Sequence, residues 1–186
     1  LGQGKFAVHL PAGEYGVRIT DRGRTTFDRK VTLQGNQTTV LSETLSALSG
    51  VALNITDAGG NSIPCKIQFS GLNGTETPNL GPQNRAHGCV DQWHSETGKF
   101  NVPLDPGTYR LVITRGIEHS HLEREVTVKA GEFAAVTGSL KRLVNTAGWV
   151  STDFHNHSTP SGDNQCGTDD RIINLAAEHI EFAPTT

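Results

Sequence analysis

Methionine is absent from this 186-residue chain, and tryptophan and tyrosine occur only twice each. With no methionine and a start at Leu1, the sequence is expected to be a processed product or a piece of a longer one. Basic charge is not in excess: 16 Lys+Arg stand against 19 Asp+Glu, a formal net charge of -3. That excludes a basic nucleic-acid footprint and a polybasic membrane anchor. No apolar run approaches the roughly 20 residues needed to span a bilayer as a helix. The three cysteines, Cys65, Cys89 and Cys166, include no CxxC pair, which argues against a zinc knuckle. Cys65 and Cys89 fall in one expected domain and leave two readings open, a disulfide in an exported protein or two reduced thiols. Cys166 reads as an ordinary thiol.

What is present is a repeat. Gly4-Lys5-Phe6-Ala7-Val8-His9-Leu10-Pro11-Ala12-Gly13-Glu14-Tyr15 reappears as Gly98-Lys99-Phe100-Asn101-Val102-Pro103-Leu104-Asp105-Pro106-Gly107-Thr108-Tyr109. Within the second copy the apolar period is two. Phe100, Val102 and Leu104 alternate, Asp105-Pro106-Gly107 turns, and Tyr109, Leu111 and Ile113 alternate again, which predicts a hairpin of half-buried strands. Val51, Leu53 and Ile55 predict another strand, and Ile63, Cys65, Ile67 and Phe69 the next. Short strands between frequent turns predict a mainly β chain built as antiparallel sandwiches. The second copy, residues 48–143, reads as a complete unit. The first, residues 1–47, reads as the C-terminal part of another, with its opening strands missing.

After Leu143 the pattern changes. Residues 144–154 read as linker and strand with Trp149 in a core, and 158–168 as a polar loop. Thr168 is the expected N-cap of a short helix through Ile172, Ile173, Leu175, Ala176 and Ala177, with Asp169 and Asp170 in its first turn. Ile180-Glu181-Phe182-Ala183 reads as a second strand, so residues 144–186 form one β-α-β unit. At the end of its first strand stands Asp153-Phe154-His155-Asn156-His157-Ser158. Residues two apart on a strand share a face, so Asp153, His155 and His157 are expected side by side. Two imidazoles and a carboxylate suit a divalent metal, which lowers the pKa of water and polarises a bond under attack. The competing reading is a pair of structural or solvent-facing histidines. A second His-x-His, His119-Ser120-His121, reads as a solvated strand edge, and His87 and His94 as loop packing.

Two family resemblances follow from these residues. Ser49-Gly50-Val51, Asp57-Ala58-Gly59-Gly60-Asn61-Ser62-Ile63-Pro64, Gly98-Lys99-Phe100 and Leu104-Asp105-Pro106-Gly107-Thr108-Tyr109 resemble carboxypeptidase regulatory-like domains. The resemblance implies transthyretin-like β-sandwiches, modules common in exported bacterial proteins, and hence a periplasmic or extracellular location. Gly148-Trp149-Val150-Ser151-Thr152-Asp153-Phe154-His155-Asn156-His157-Ser158, then Ser161-Gly162-Asp163, resemble the PHP domain of metal-dependent hydrolases, within it the CehA/McbA-like group. That implies the first β-α-β unit of a distorted β/α barrel holding zinc, manganese or iron. His155 and His157 would be metal ligands, Asp163 a further ligand or catalytic support displaced by one position from the family's loop aspartate, and Asp153 a catalytic support. The implied reaction is attack of metal-activated water on a small-molecule phosphoester or related ester. The remaining ligands are expected beyond Thr186, in the rest of the polypeptide, so this stretch alone is expected to be inactive. The rival reading is a non-catalytic spacer or binding module for carbohydrate, cell-surface or protein contact.

Overall fold

The structure, a computed structural model, describes residues 4–185. The expected interruption of the first repeat at Leu1 lies outside the described residues. The chain is mainly β, with antiparallel sheets and one helix longer than a single turn among the described residues. Nine strands are described: β1 (Gly13–Ile19), β2 (Phe27–Leu33), β3 (Gly50–Thr56), β4 (Cys65–Leu72), β5 (Gln92–Ser95), β6 (Lys99–Pro103), β7 (Gly107–Thr114), β8 (Leu122–Val128) and β9 (Phe133–Ser139). They form sheets of order β1-β2, β6-β3-β9 and β5-β4-β7-β8.

The two larger sheets share one core, and the alternating sequence explains why. Val51, Leu53, Ile55, Val102 and Val136 point inward from one sheet, and Cys65, Ile67, Phe69, Tyr109, Leu111, Ile113 and Val128 from the other. Phe69 and Leu111, fully buried, face each other in the β4–β7 register. The glycine of the repeated Gly-Lys-Phe is required by a close approach. Gly98 has φ +73°, and a Cβ there would lie 2.1 Å from Ile63 O.

Four strand expectations change. First, β6 and β7 are not a hairpin: β6 pairs with β3, while β7 pairs with β4 and β8. The Asp105-Pro106-Gly107 turn therefore carries the chain from one sheet to the other. Tyr109 Oη donates to Asp105 O at 2.8 Å across that corner. Second, the sheets are not purely antiparallel, because β9 runs parallel to β3. Third, residues 5–10, the counterpart of β6, form no strand, and Phe6, Val8 and Leu10 are exposed. The counterpart of β3 is what this segment would pair with, and the described residues of the first copy contain none. The β1–β2 hairpin does match β7–β8, and Tyr15 Oη donates to Pro11 O at 2.9 Å as Tyr109 does to Asp105. His9 is exposed. Fourth, the expected strands around Thr152 and Phe182 reduce to isolated parallel bridges, Thr152↔Phe182 and Asn156↔Thr185.

Helix α1 (Thr168–Ala177) connects those two bridging segments. Its N-cap is Gly167 rather than Thr168, which is the first helical residue, and no side chain caps it. Asp169 and Asp170 sit in the first turn, where the dipole favours them. Asp170 Oδ1 also accepts the Ala86 N–H at 2.6 Å, and Lys66 Nζ pairs with Glu178 just past the helix. Arg115 donates to Pro64 O at 2.6 Å and Ala176 O at 3.2 Å. These contacts seat α1 beside β4 and β5.

The expected core position of Trp149 is overturned: it is 79% exposed, with Phe154 at 68% and Phe182 at 52%. The segment bridges too few residues to bury them. All three cysteines are free thiols. Cys65 pairs with Ser95 at one end of β5, whereas Cys89 bridges Gln92 at the other end. Three residues of strand, about 10 Å, separate those ends, beyond the reach of a disulfide.

Candidate metal centre

The expected alternation over Asp153, His155 and His157 holds only from His155 onward, because Phe154, of the same parity as Asn156 and Ser158, is 68% exposed. Asn156 and Ser158 are buried, while His155 and His157 share the outer face. Their ring centroids are 4.8 Å apart with a 48° tilt. The Arg171 guanidinium fastens this edge to α1 by donating to His157 O at 2.9 Å. Asp153 N–H donates to Phe182 O at 3.0 Å, which aligns the segment with the chain after α1.

The two aspartates behave differently. Asp153 Oδ1 accepts the His155 backbone N–H at 3.0 Å, so this oxygen closes a local turn. Asp163 instead reaches the ring: its Oδ1 lies 3.0 Å from His157 Nδ1. Ser161 Oγ lies 2.9 Å from Asp163 Oδ1 and 3.2 Å from His157 Nδ1. The Asp163 carboxyl is held below the usual carboxylate range, chiefly by the Ser161 hydroxyl and then by the facing imidazole, against some desolvation. With His157 Nδ1 engaged, its Nε2 is the nitrogen left for a metal. A carboxylate on the far nitrogen fixes the ring orientation and raises ligand basicity. Asp163 is thus placed to orient His157. Ser161 is the member of this set that residue-type reasoning left without a role, although it stands in the Ser161-Gly162-Asp163 run.

Among the described residues, no group of three or more His, Cys, Asp or Glu is arranged to hold a metal ion. The donor chemistry fits a divalent ion in part: two imidazoles, one of them oriented by a carboxylate, supply a ligand pair.

The other histidines take different environments. His94 is buried, its Nδ1 3.3 Å from Ala86 O, and burial pushes its pKa down. His87 stacks on Trp93, which also stacks on Phe100 and packs against the core, so this aromatic row serves packing. His119 meets His179 edge-on at 4.9 Å. They line a cavity of about 350 Å³ with Ile63, Arg115, Leu140 and Arg142. Burial, then His179 and Arg115, lower the His119 pKa. His179 Nδ1 lies 3.2 Å from Glu118 Oε2 but off the line of a hydrogen bond. His119, expected at a solvated strand edge with His121, is instead half-buried on the β7–β8 loop against His179, which lies beyond α1, and spacing carried no signal joining the two.

No helix among the described residues is long and apolar enough to cross a membrane. Comparison with protein-family models, with curated proteins and with solved structures finds no match to this chain.

Proposed function

We propose that this chain belongs to an exported metal-dependent hydrolase of the phosphoesterase type. In this reading, the C-terminal part of one carboxypeptidase regulatory-like sandwich at residues 1–47 and a second, complete one at 48–143 lead into the first β-α-β unit of a PHP-type domain at 144–186. The observation that carries it is the His155–His157 pair on one face of a chain edge, with His157 braced by Asp163 and Ser161. The parallel bridges on either side of α1 support a β-α-β connection. The exposed Trp149, Phe154 and Phe182 support further α/β elements covering that face.

His155 and His157 would hold the divalent ion, zinc, manganese or iron. When bound, such an ion acidifies water and polarises the ester under attack. Asp163 fixes the ring of His157 so that Nε2 faces outward. Asp153 holds the backbone of His155 in the turn that presents its ring, a positioning role. Full-length protein is expected to hydrolyse a generic phosphodiester, and His155→Ala/His157→Ala to abolish that hydrolysis. Equal turnover by both proteins would overturn the reading and leave the sandwiches as spacers.

A further inference from the structure

The turns of the two matching hairpins, β1–β2 and β7–β8, carry the same dipeptide, Arg22-Gly23 in one and Arg115-Gly116 in the other. Each touches the part of the chain that follows its own copy of the repeat. Gly23 is buried against the start of the second copy with φ +76°. Its N–H donates to Asp105 Oδ1 at 2.9 Å, and its oxygen accepts the Ser49 N–H at 2.7 Å. A Cβ on Gly23 would lie 2.5 Å from Ser49 O. Arg22 Nη2 donates to a backbone oxygen of the second copy, Asn79 O, at 2.7 Å. The second turn repeats the arrangement on the helical segment. Gly116 has φ +63°, and a Cβ there would lie 2.1 Å from Glu178 O. Arg115 Nη1 donates to Ala176 O at 3.2 Å. Each turn also holds the connecting chain. The Thr25 N–H donates to Ser46 Oγ at 2.8 Å, just before β3. The Leu143 N–H donates to Glu118 O at 2.8 Å, just after β9.

We infer that the Arg-Gly hairpin turn is the coupling surface of this repeat, and that its partner is exposed backbone at the edge of the module that follows. Glycine lets a backbone oxygen approach where any side chain would collide. The guanidinium, with its rigid fork of donors, reaches a carbonyl beyond that contact. Because both contacts address backbone, one turn seats a second sandwich and the other seats the end of a helix. Relative motion is the default for modules joined by a short connection; here it is suppressed. The second sandwich is therefore a fixed mount for the edge bearing His155 and His157, whether or not that edge binds metal.

The test is small-angle X-ray scattering with amide exchange on the whole chain and three variants, Gly23→Ala, Gly116→Ala and Gly60→Ala. Gly60 is the control: its φ is +87°, but a Cβ there meets nothing within 4 Å. Wild type and Gly60→Ala should each fit one rigid shape. Gly23→Ala and Gly116→Ala should each raise the maximum dimension, and the Ser49 amide should lose protection in Gly23→Ala alone of the three. Asp105→Ala introduces no positive-φ strain and removes the acceptor of the Gly23 N–H. It should also lower Ser49 protection, which keeps the test decisive if Gly23→Ala does not fold. Wild-type scattering that requires independently moving copies, equal dimensions in all four proteins, or an unprotected Ser49 amide in the wild type would each overturn the inference.

Discussion

Asp163 Oδ1 and His157 Nδ1 stand 3.0 Å apart, with the Ser161 hydroxyl within hydrogen-bond reach of both. This contact assigns the two nearby carboxylates different work, because Asp153 is spent on the His155 backbone. Replacing Asp163 with Asn should weaken metal binding by about 10–100-fold, the usual loss when a partner of a ligating histidine is removed. Asp153→Asn keeps the oxygen that accepts the His155 N–H and should change affinity far less. Metal titration of both variants in the full-length protein checks the contrast.

The inter-sheet corner gives a second expectation. Tyr109 is 2% exposed and its hydroxyl donates to Asp105 O. Tyr109→Phe should cost about 1 kcal/mol, the net worth of one hydrogen bond. Tyr15→Phe removes the matching bond in an exposed setting and should cost a few tenths at most. Urea unfolding with equal m-values would compare them.

The seating of α1 rests on a backbone approach. Gly116 has φ +63°, and a Cβ there would lie 2.1 Å from Glu178 O. Gly116→Ala must displace either the β7–β8 loop or the end of α1, while leaving the shared core of the two sheets in place. Hydrogen exchange should show lost protection in residues 168–180 with β4 and β7 unchanged. Unchanged protection in α1 would contradict the seating.

Acid sensitivity follows from the buried imidazoles. Burial lowers the pKa of His94 and His119 below the ordinary 6.5. Between the ordinary and the lowered value, the unfolded chain binds more protons than the folded one. Stability is therefore fully present above pH 6.5 and is lost as pH falls toward the lowered values. His94→Gln should flatten the decline in unfolding midpoint across that window, and an unaltered slope would remove His94 as a cause.

Much of the sheet structure is visible in the period of two. Val51, Leu53 and Ile55, and Cys65, Ile67 and Phe69, are buried as the alternation requires. Periodicity does not say which strand pairs with which, so Phe100–Leu104 and Tyr109–Ile113 look like one hairpin although their partners lie in different sheets. The parallel β3–β9 pair joins strands distant in sequence and has no local signature. Trp149 shows the limit of reading burial from residue type: with no packed layer over residues 149–154, it stays exposed. At the site, parity placed His155 and His157 on one face, whereas Asp153 was captured by its own backbone, a local competition that spacing does not reveal.

The central claim is that His155 and His157 hold a divalent ion in the intact protein. It is tested most directly by elemental analysis of zinc, manganese and iron in the full-length protein and in its His155→Ala/His157→Ala variant, each confirmed folded. The account predicts bound metal in the wild type and a clear loss in the variant; equal metal content in the two would contradict it.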